Sequence, residues 1–356
     1  MDLQVKIGYS FWGFLGNGIT NTPDGGRSHR RPLIDALLGR GHEIVFLQTN
    51  RDRIEAGDAL GDHYAFDGGI PDIDLLFLEW RWPIEGRNTS PCGTVGHTCD
   101  LHRQAELLKH YTVRRRTPTV IWDKDRQLRE DSIWRRTPNV MVCEAALAPT
   151  PGAHRVLFPI DDALLDGADP VALAGEDRRT PLGYAGNQYD RDDAFDRFFA
   201  PAAARFEHWV GGKWTRTECW PHVSFLGRIP FTDVSRLYNG TLATVLLLPE
   251  RYAVAGQMTQ RIFEAVLAGC LPLAPAGIKH VERFVPEDLV VTTGTHVIRR
   301  IAAFQQIAGS QQHAELISDC LGRLELFRLS RQADALESVL DTATNAGVAQ
   351  RQAVAR

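Results

Sequence analysis

The chain has 356 residues, 44% of them hydrophobic and 24% charged, and a net charge of −4. This length suffices for two domains with separate cores. The composition excludes a disordered chain, and the small negative charge excludes a bulk attraction to nucleic acid or an anionic membrane. Six cysteines at irregular spacing do not make a disulfide framework. No apolar run approaches the length of a bilayer span, and the first residues read as a strand rather than a signal peptide, so a cytoplasmic, reduced protein is expected.

The pattern predicts a first strand over 5–12, then a Gly/Asn/Thr-rich loop over 13–26. A helix follows, with Leu33, Leu37 and Leu38 on one face, stopped at Gly39 and Gly41 before a strand over 43–47. Strand, loop, helix and strand form the building block of a parallel sheet. The end of the loop, Asp24, Gly25 and Gly26, is a candidate site, because glycine admits close backbone approach and a helix start offers free N–H groups to an anion. It is neither a GxGxxG nor a Walker pattern, which disfavours dinucleotide and P-loop readings.

Further strands are expected over 74–80, 118–122, 139–143 and 155–160, with a helix over 101–111. The polar loop 81–100 and the start of that helix hold Cys92, His97, Cys99 and His102. Their separations match no closed zinc pattern, so no metal is expected there. Asp123 and Asp125 follow the fourth strand. Two residues apart in extended chain they point the same way, and their repulsion raises one pKa toward the range of a general base, opposed by Lys124 and Arg126. The acidic, Ala/Gly/Pro-bearing stretch after Asp161 marks a domain boundary.

The alternation then restarts. A strand ends at Gly186 and Asn187, a helix covers 192–203, a second strand ends beside Lys213, and a short element over 223–231 contains Arg228 and Ile229. Thr232 is placed to cap a helix over 233–238, and 243–248 reads as a buried strand. The stretch 257–275 organises this half. Gln257, Thr259, Gln260, Arg261 and Glu264 gather at a helix start, Ile262, Ala265, Val266 and Gly269 share its face, and an apolar strand follows. A last strand is expected at 289–292, and the tail from His296 is helical. Lys213, Arg228 and Arg261 fall at strand ends or a helix start, where three cations and helix dipoles can hold a diphosphate.

These residues resemble a known family. The segment from Phe225 to Asn239 and the segment from Thr259 to Leu273 look like the donor-binding half of GT-B glycosyltransferases, closest to glycosyltransferase family 4 and the spore-maturation-type (CgeB-like) glycosyltransferases. Gly25 and Gly26 with the Leu37-Leu-Gly-Arg-Gly-His-Glu-Ile run resemble the family's first-half glycine segment. The resemblance implies an α/β fold of GT-B type: two Rossmann-like parallel-sheet domains facing across a cleft. The expected domains are 1–165 on the acceptor side, a linker over 166–180, a donor domain over 181–310, and C-terminal helices over 311–356 packing back on the N-terminal domain.

The resemblance further implies a metal-independent transferase with no bound cofactor, moving a hexosyl or pentosyl group from a nucleotide-diphosphate sugar, such as a UDP-sugar, to a hydroxyl acceptor. Glu264 is implied to bind the ribose, Arg261 and Thr259 the phosphates, and Gln257 the sugar. Gly25, Gly26, Gly186, Asn187, Lys213, Arg228 and Ile229 complete the donor set. Asp125, then Asp123, Asp24 and His29, are the candidates for the base. The retaining type carries another Glu eight residues before the ribose Glu; this chain has Gly256 there. The alternatives are a glycosyltransferase acting on hydroxylated bases in DNA, a non-catalytic nucleotide-sugar binding protein, and a GT-B-fold epimerase or phosphorylase.

Overall fold

The computed structural model describes residues 4–16, 26–58 and 60–354. Two compact units divide at Leu157/Phe158 and at Leu329/Ser330. The stretch 166–180, expected as a linker, contains the helix Pro170–Gly175 and lies inside the second unit.

The first unit is built on seven strands: β1 Lys6–Ser10, β2 Glu43–Phe46, β3 Ala65–Phe66, β4 Leu75–Glu79, β5 Thr119–Asp123, β6 Val140–Glu144 and β7 His154–Arg155. They lie in the order β3-β2-β1-β4-β5-β6-β7, with every pairing parallel. Every residue of β4 and of β5 is buried. That explains why these strands are near-continuous apolar runs: a parallel sheet covered by helices hides both faces. The expected strand over 155–160 contracts to β7, and β3 carries too little pattern in two residues to be seen in the sequence. The order reverses at β1/β4, the point where α/β sheets open a crevice at the carboxyl ends of their strands.

The second unit repeats the plan with β8 Thr180–Ala185, β9 His208–Gly211, β10 Phe225–Gly227, β11 Thr241–Val245, β12 Leu271–Pro275 and β13 Val290–Val291. Their order is β10-β9-β8-β11-β12-β13, again all parallel, with the reversal at β8/β11. The helix after β10 runs Phe231–Asn239 with Pro230 at its cap. Thr232 is therefore inside the helix: proline's fixed φ already starts it.

The helix Arg261–Leu267 ends in a Schellman motif. Cys270 N–H donates to Ala265 O, Gly269 N–H donates to Val266 O, and Gly269 takes φ +69°. A Cβ there would stand 3.0 Å from Leu173 O, so glycine is required twice over. At the chain's end, the helix Gln311–Leu324 packs on Pro170–Gly175 in the second unit. The helix Leu329–Val354 is held to the first unit by Arg40 on Asp334 and Glu337, by His42 on Glu337, and by Gln332, which accepts the Leu157 amide.

Candidate functional site

In the first unit, β4, β5 and β6 each end in a buried carboxylate: Glu79, Asp123 and Glu144. A buried charge must be compensated, and each is compensated differently. Glu79 receives a two-pronged guanidinium bond from Arg30 at 2.7 and 2.8 Å, with both side chains fully enclosed. The Tyr9 hydroxyl also donates to it, and Lys124 Nζ lies 3.6 Å away. Burial alone would raise the Glu79 pKa; the Arg30 and Lys124 charges outweigh it and hold the value at about 2.

Asp123 accepts the amides of Gln127 and Leu128, both at 2.8 Å. Burial nonetheless pushes its pKa up to about 6, against those two bonds. Glu144 takes Arg126, Arg135 at 2.7 Å and the Thr150 amide at 2.9 Å. The loop after β5 is thus stapled at several points, and Arg126 is held in it at φ +52°. Asp125 sits on that loop, partly exposed, 3.4 Å from Lys124 Nζ. Both oxygens of Asp123 are engaged with the loop's own backbone, so Asp123 shapes the loop and Asp125 is the acid it presents.

Below the same edge, His29 is buried with its ring edge-on to Trp122, centroids 5.4 Å apart. After β1, Asp52 accepts the amides of Leu15 and Gly16 and pins the first part of the glycine-rich loop. Asp24 and Gly25 lie outside the described residues, and Gly26 is the first residue of the helix Gly26–Gly39.

In the second unit the ends of β8, β9 and β10 converge. Gly186 N–H donates to Gly211 O, and Asn187 Oδ1 accepts the Lys213 amide at 2.7 Å. Trp214 Nε1 donates to Gly186 O. Gly212 adopts φ +136°, and a Cβ there would lie 2.1 Å from that same oxygen. These glycines therefore serve the close approach of two strand ends. The Gly186 amide belongs to the sheet ladder, which removes it as an amide donor to a diphosphate. Ile229 packs against Gly211, where its Cδ1 would be 2.6 Å from an added Cβ. Lys213 and Arg228 are exposed at these ends.

Gln257 is fully buried and follows Gly256, whose φ of +61° is a left-handed turn that a glutamate would occupy only with strain. Thr259 is half-buried one residue before the cap, Gln260, of the helix that begins at Arg261. Arg261 and Glu264 form an ion pair one turn apart. Burial pushes the Glu264 pKa up against the pull of Arg261.

Three residues escape a sequence reading. Arg30 sits inside a basic run, yet it lies three and seven residues before Leu33 and Leu37, on the helix face that turns inward; that spacing was the signal. Glu79 ends an otherwise apolar strand. Tyr184 is buried under Gly186, and its hydroxyl has no hydrogen-bond partner among the described residues.

Residues 191–319 match the family described as "Glycosyl transferase-like". This span contains Lys213, Arg228, Ile229, Gln257, Thr259, Arg261 and Glu264. The fold is GT-B. T4 phage β-glucosyltransferase in complex with UDP and Mn2+ is similar at a TM-score of 0.65 and 14% identity, over 94% of this chain and 99% of that one. Anabaena HepE in complex with UDP-glucose is similar at 0.57 and 13% identity, over 95% of this chain and 100% of that one. An α-glucosyltransferase in complex with UDP-glucose and DNA containing an abasic site is similar at 0.57 and 10% identity, over 96% and 100%. No curated protein matches the sequence. The chain carries a glycosyltransferase-type domain on a GT-B fold, and among the described residues no helix is long and apolar enough to cross a membrane.

Proposed function

We propose that this GT-B glycosyltransferase moves a sugar from a UDP-sugar to a hydroxyl acceptor, without a metal at the donor. The observation that carries the donor half is the Arg261–Glu264 pair at the helix start within the family-matched span. Glu264 is partly buried and, when ionised, is acceptor-only, which suits two ribose hydroxyls; Arg261 beside it favours that ionised form. The leaving diphosphate gathers negative charge, which Arg261, Lys213 and Arg228 neutralise by charge-assisted hydrogen bonds. Gln257 faces the sugar in this reading, because Gly256 leaves the position without an acid.

Asp125 takes the acceptor's proton as the hydroxyl oxygen attacks the anomeric carbon. Its support is its place: a partly exposed carboxylate at the carboxyl end of a parallel strand, on a loop fixed by Asp123 and Glu144. Lys124 Nζ lies 3.4 Å from it. The spore-maturation-type kinship remains the finer family reading, supported by the two donor-half segments.

The acceptor has a second reading. Two of the similar structures are described as a DNA-modifying β-glucosyltransferase and as an α-glucosyltransferase bound to DNA. A hydroxylated base in DNA is therefore proposed as the acceptor class to test beside small alcohols and saccharides. The test is UDP release from UDP-glucose with no acceptor, with plain duplex DNA, with hydroxymethylated duplex DNA, and with a saccharide panel. Acceptor-dependent release supports the transferase. Saturable UDP-glucose binding with no transfer to any acceptor supports the non-catalytic binding protein instead.

A further inference from the structure

The loop between β4 and the helix Asp100–Leu107 is long and carries no apolar core of its own. Its near half is fixed by polar groups: Asp100 accepts from Arg81 at 3.1 Å and Asn88 at 3.4 Å, and Gln104 bonds both backbone groups of Arg81. Its far half, 89–99, is tied back at its end by Thr98, whose N–H donates to Arg87 O at 2.8 Å and whose hydroxyl donates to Asp100 at 3.0 Å, and it reaches full exposure at Val95.

Cys92, His97 and Cys99 of that far half converge with His102 of the helix, one potential ligand atom from each lying within 4.8 Å of all the others. Two tight turns bring this about: Thr94 N–H donates to Pro91 O, and His97 N–H donates to Thr94 O. Gly93 and Gly96, at φ +87° and +80°, permit them. The separations in sequence gave no zinc pattern because the chain between Cys92 and His97 folds back on itself.

We propose that Cys92, His97, Cys99 and His102 bind one Zn2+ ion in a closed, tetrahedral, structural site. Two sulfurs and two imidazoles are the donor set that selects zinc over hard cations. With Zn–S near 2.3 Å and Zn–N near 2.0 Å, tetrahedral ligand atoms stand roughly 3.3–3.8 Å apart, so the four side chains need only small rotations to close on the ion. His97 Nδ1 is engaged by Ser90 Oγ at 3.1 Å, which aims Nε2 as the ligand, and that Nε2 is enclosed with no hydrogen-bond partner. Such an outer partner fixes the tautomer of a ligating histidine. His102 Nδ1 already lies 3.0 Å from Cys92 Sγ. On binding, the two thiols release their protons to solvent. Two thiolates and two neutral imidazoles then leave the site without net charge, and nothing is oxidised or reduced. The ion ties the loop tip to the first turn of the helix, with no open position for substrate; it is separate from the donor site, whose chemistry is proposed to need no metal.

The test uses the full chain, reduced and stripped with a chelator, then loaded with Zn2+ or Co2+ and freed of excess by gel filtration. Near-stoichiometric zinc is expected, along with the intense visible bands of tetrahedral Co2+ and sulfur-to-cobalt charge transfer. Both should vanish in C92S/C99S and persist in C219S, which removes an exposed cysteine outside the cluster. Proteolysis within 89–98 should rise when the metal is removed. Wild-type protein that retains no metal, a double variant that retains as much as wild type, or a stable Cys92–Cys99 disulfide in protein purified without reductant would each overturn the proposal. The cobalt spectrum of the wild type stands even if the double variant misfolds.

Discussion

Replacing Glu79 by Gln tests whether the Arg30–Glu79 pair holds the first unit together. Gln keeps the shape and one acceptor oxygen but removes the charge. It leaves Arg30, fully enclosed, facing Tyr9 and Lys124 with no anion among the three. Breaking one side of a buried pair costs about 3–5 kcal/mol. The shift of the Glu79 pKa from 4.5 to about 2 gives a second route to the same figure. At 1.36 kcal/mol per unit this is about 3 kcal/mol. The sign follows from the direction. A depressed folded-state pKa means that the contribution is present above pH 4.5 and fades as the pH falls toward 2. Other acids titrate in this window too, but equally in both proteins, so they cancel in the difference.

Urea titrations followed by hydrogen exchange of peptides from β4 and β5 provide the assay, with β8 and β11 as internal controls. A local readout is needed because two units need not unfold together. The expected result is a loss of about 3 kcal/mol in β4 and β5 at pH 7, shrinking markedly near pH 3, with β8 and β11 unchanged. A loss under about 1 kcal/mol, or one of the same size at both pH values, would refute the reasoning, since a pair worth so little is typical of solvent-exposed charges.

Three other outcomes are expected. Glu264→Ala should weaken UDP-sugar binding tenfold or more, as a hydrogen bond to a charged group contributes about 1.5–3 kcal/mol, with melting temperature nearly unchanged; calorimetry showing an unaltered Kd would remove Glu264 from the ribose. Asp125→Asn should lower kcat by about 10²–10⁴ while the donor Kd holds, the usual contribution of a positioned base; equal losses in both would make it a structural residue. Gly212→Ala should destabilise the second unit by about 1–3 kcal/mol or more, because the new Cβ meets Gly186 O at 2.1 Å in a backbone region closed to alanine; a melting temperature within a degree of wild type would show that the turn can relax.

The fold was readable where burial leaves a long periodic trace. Leu75 to Leu78, Val120 to Trp122 and Leu271 to Leu273 are apolar because both faces of a parallel sheet are covered, and each appeared as a strand. What failed was short or set by neighbours. β3 and β7 have two residues each, too few for a period. The helix expected over 101–111 is α-helical only through Leu107 and continues as π-helical turns to Arg114, a change of hydrogen-bond register that side-chain periodicity does not encode.

The site was less legible, for a reason that Asp123, Gly186 and Cys92 share. From a sequence, a carboxylate at a strand end, a glycine in a turn and a thiol in a loop all read by type: base, phosphate cradle, incidental ligand. The fold reassigns each according to what stands beside it. Asp123 faces two amides of its own loop, and Gly186 faces Gly211 and Gly212. Both therefore bond within the edge itself. Cys92 moves the other way, because two glycine turns bring it to His97, Cys99 and His102. Asp125 and Glu264 gain from the same comparison. Each is a carboxylate with a cation beside it and part of its surface still open, carried on an element fixed by other residues, and it is on that combination that both are proposed to meet substrate.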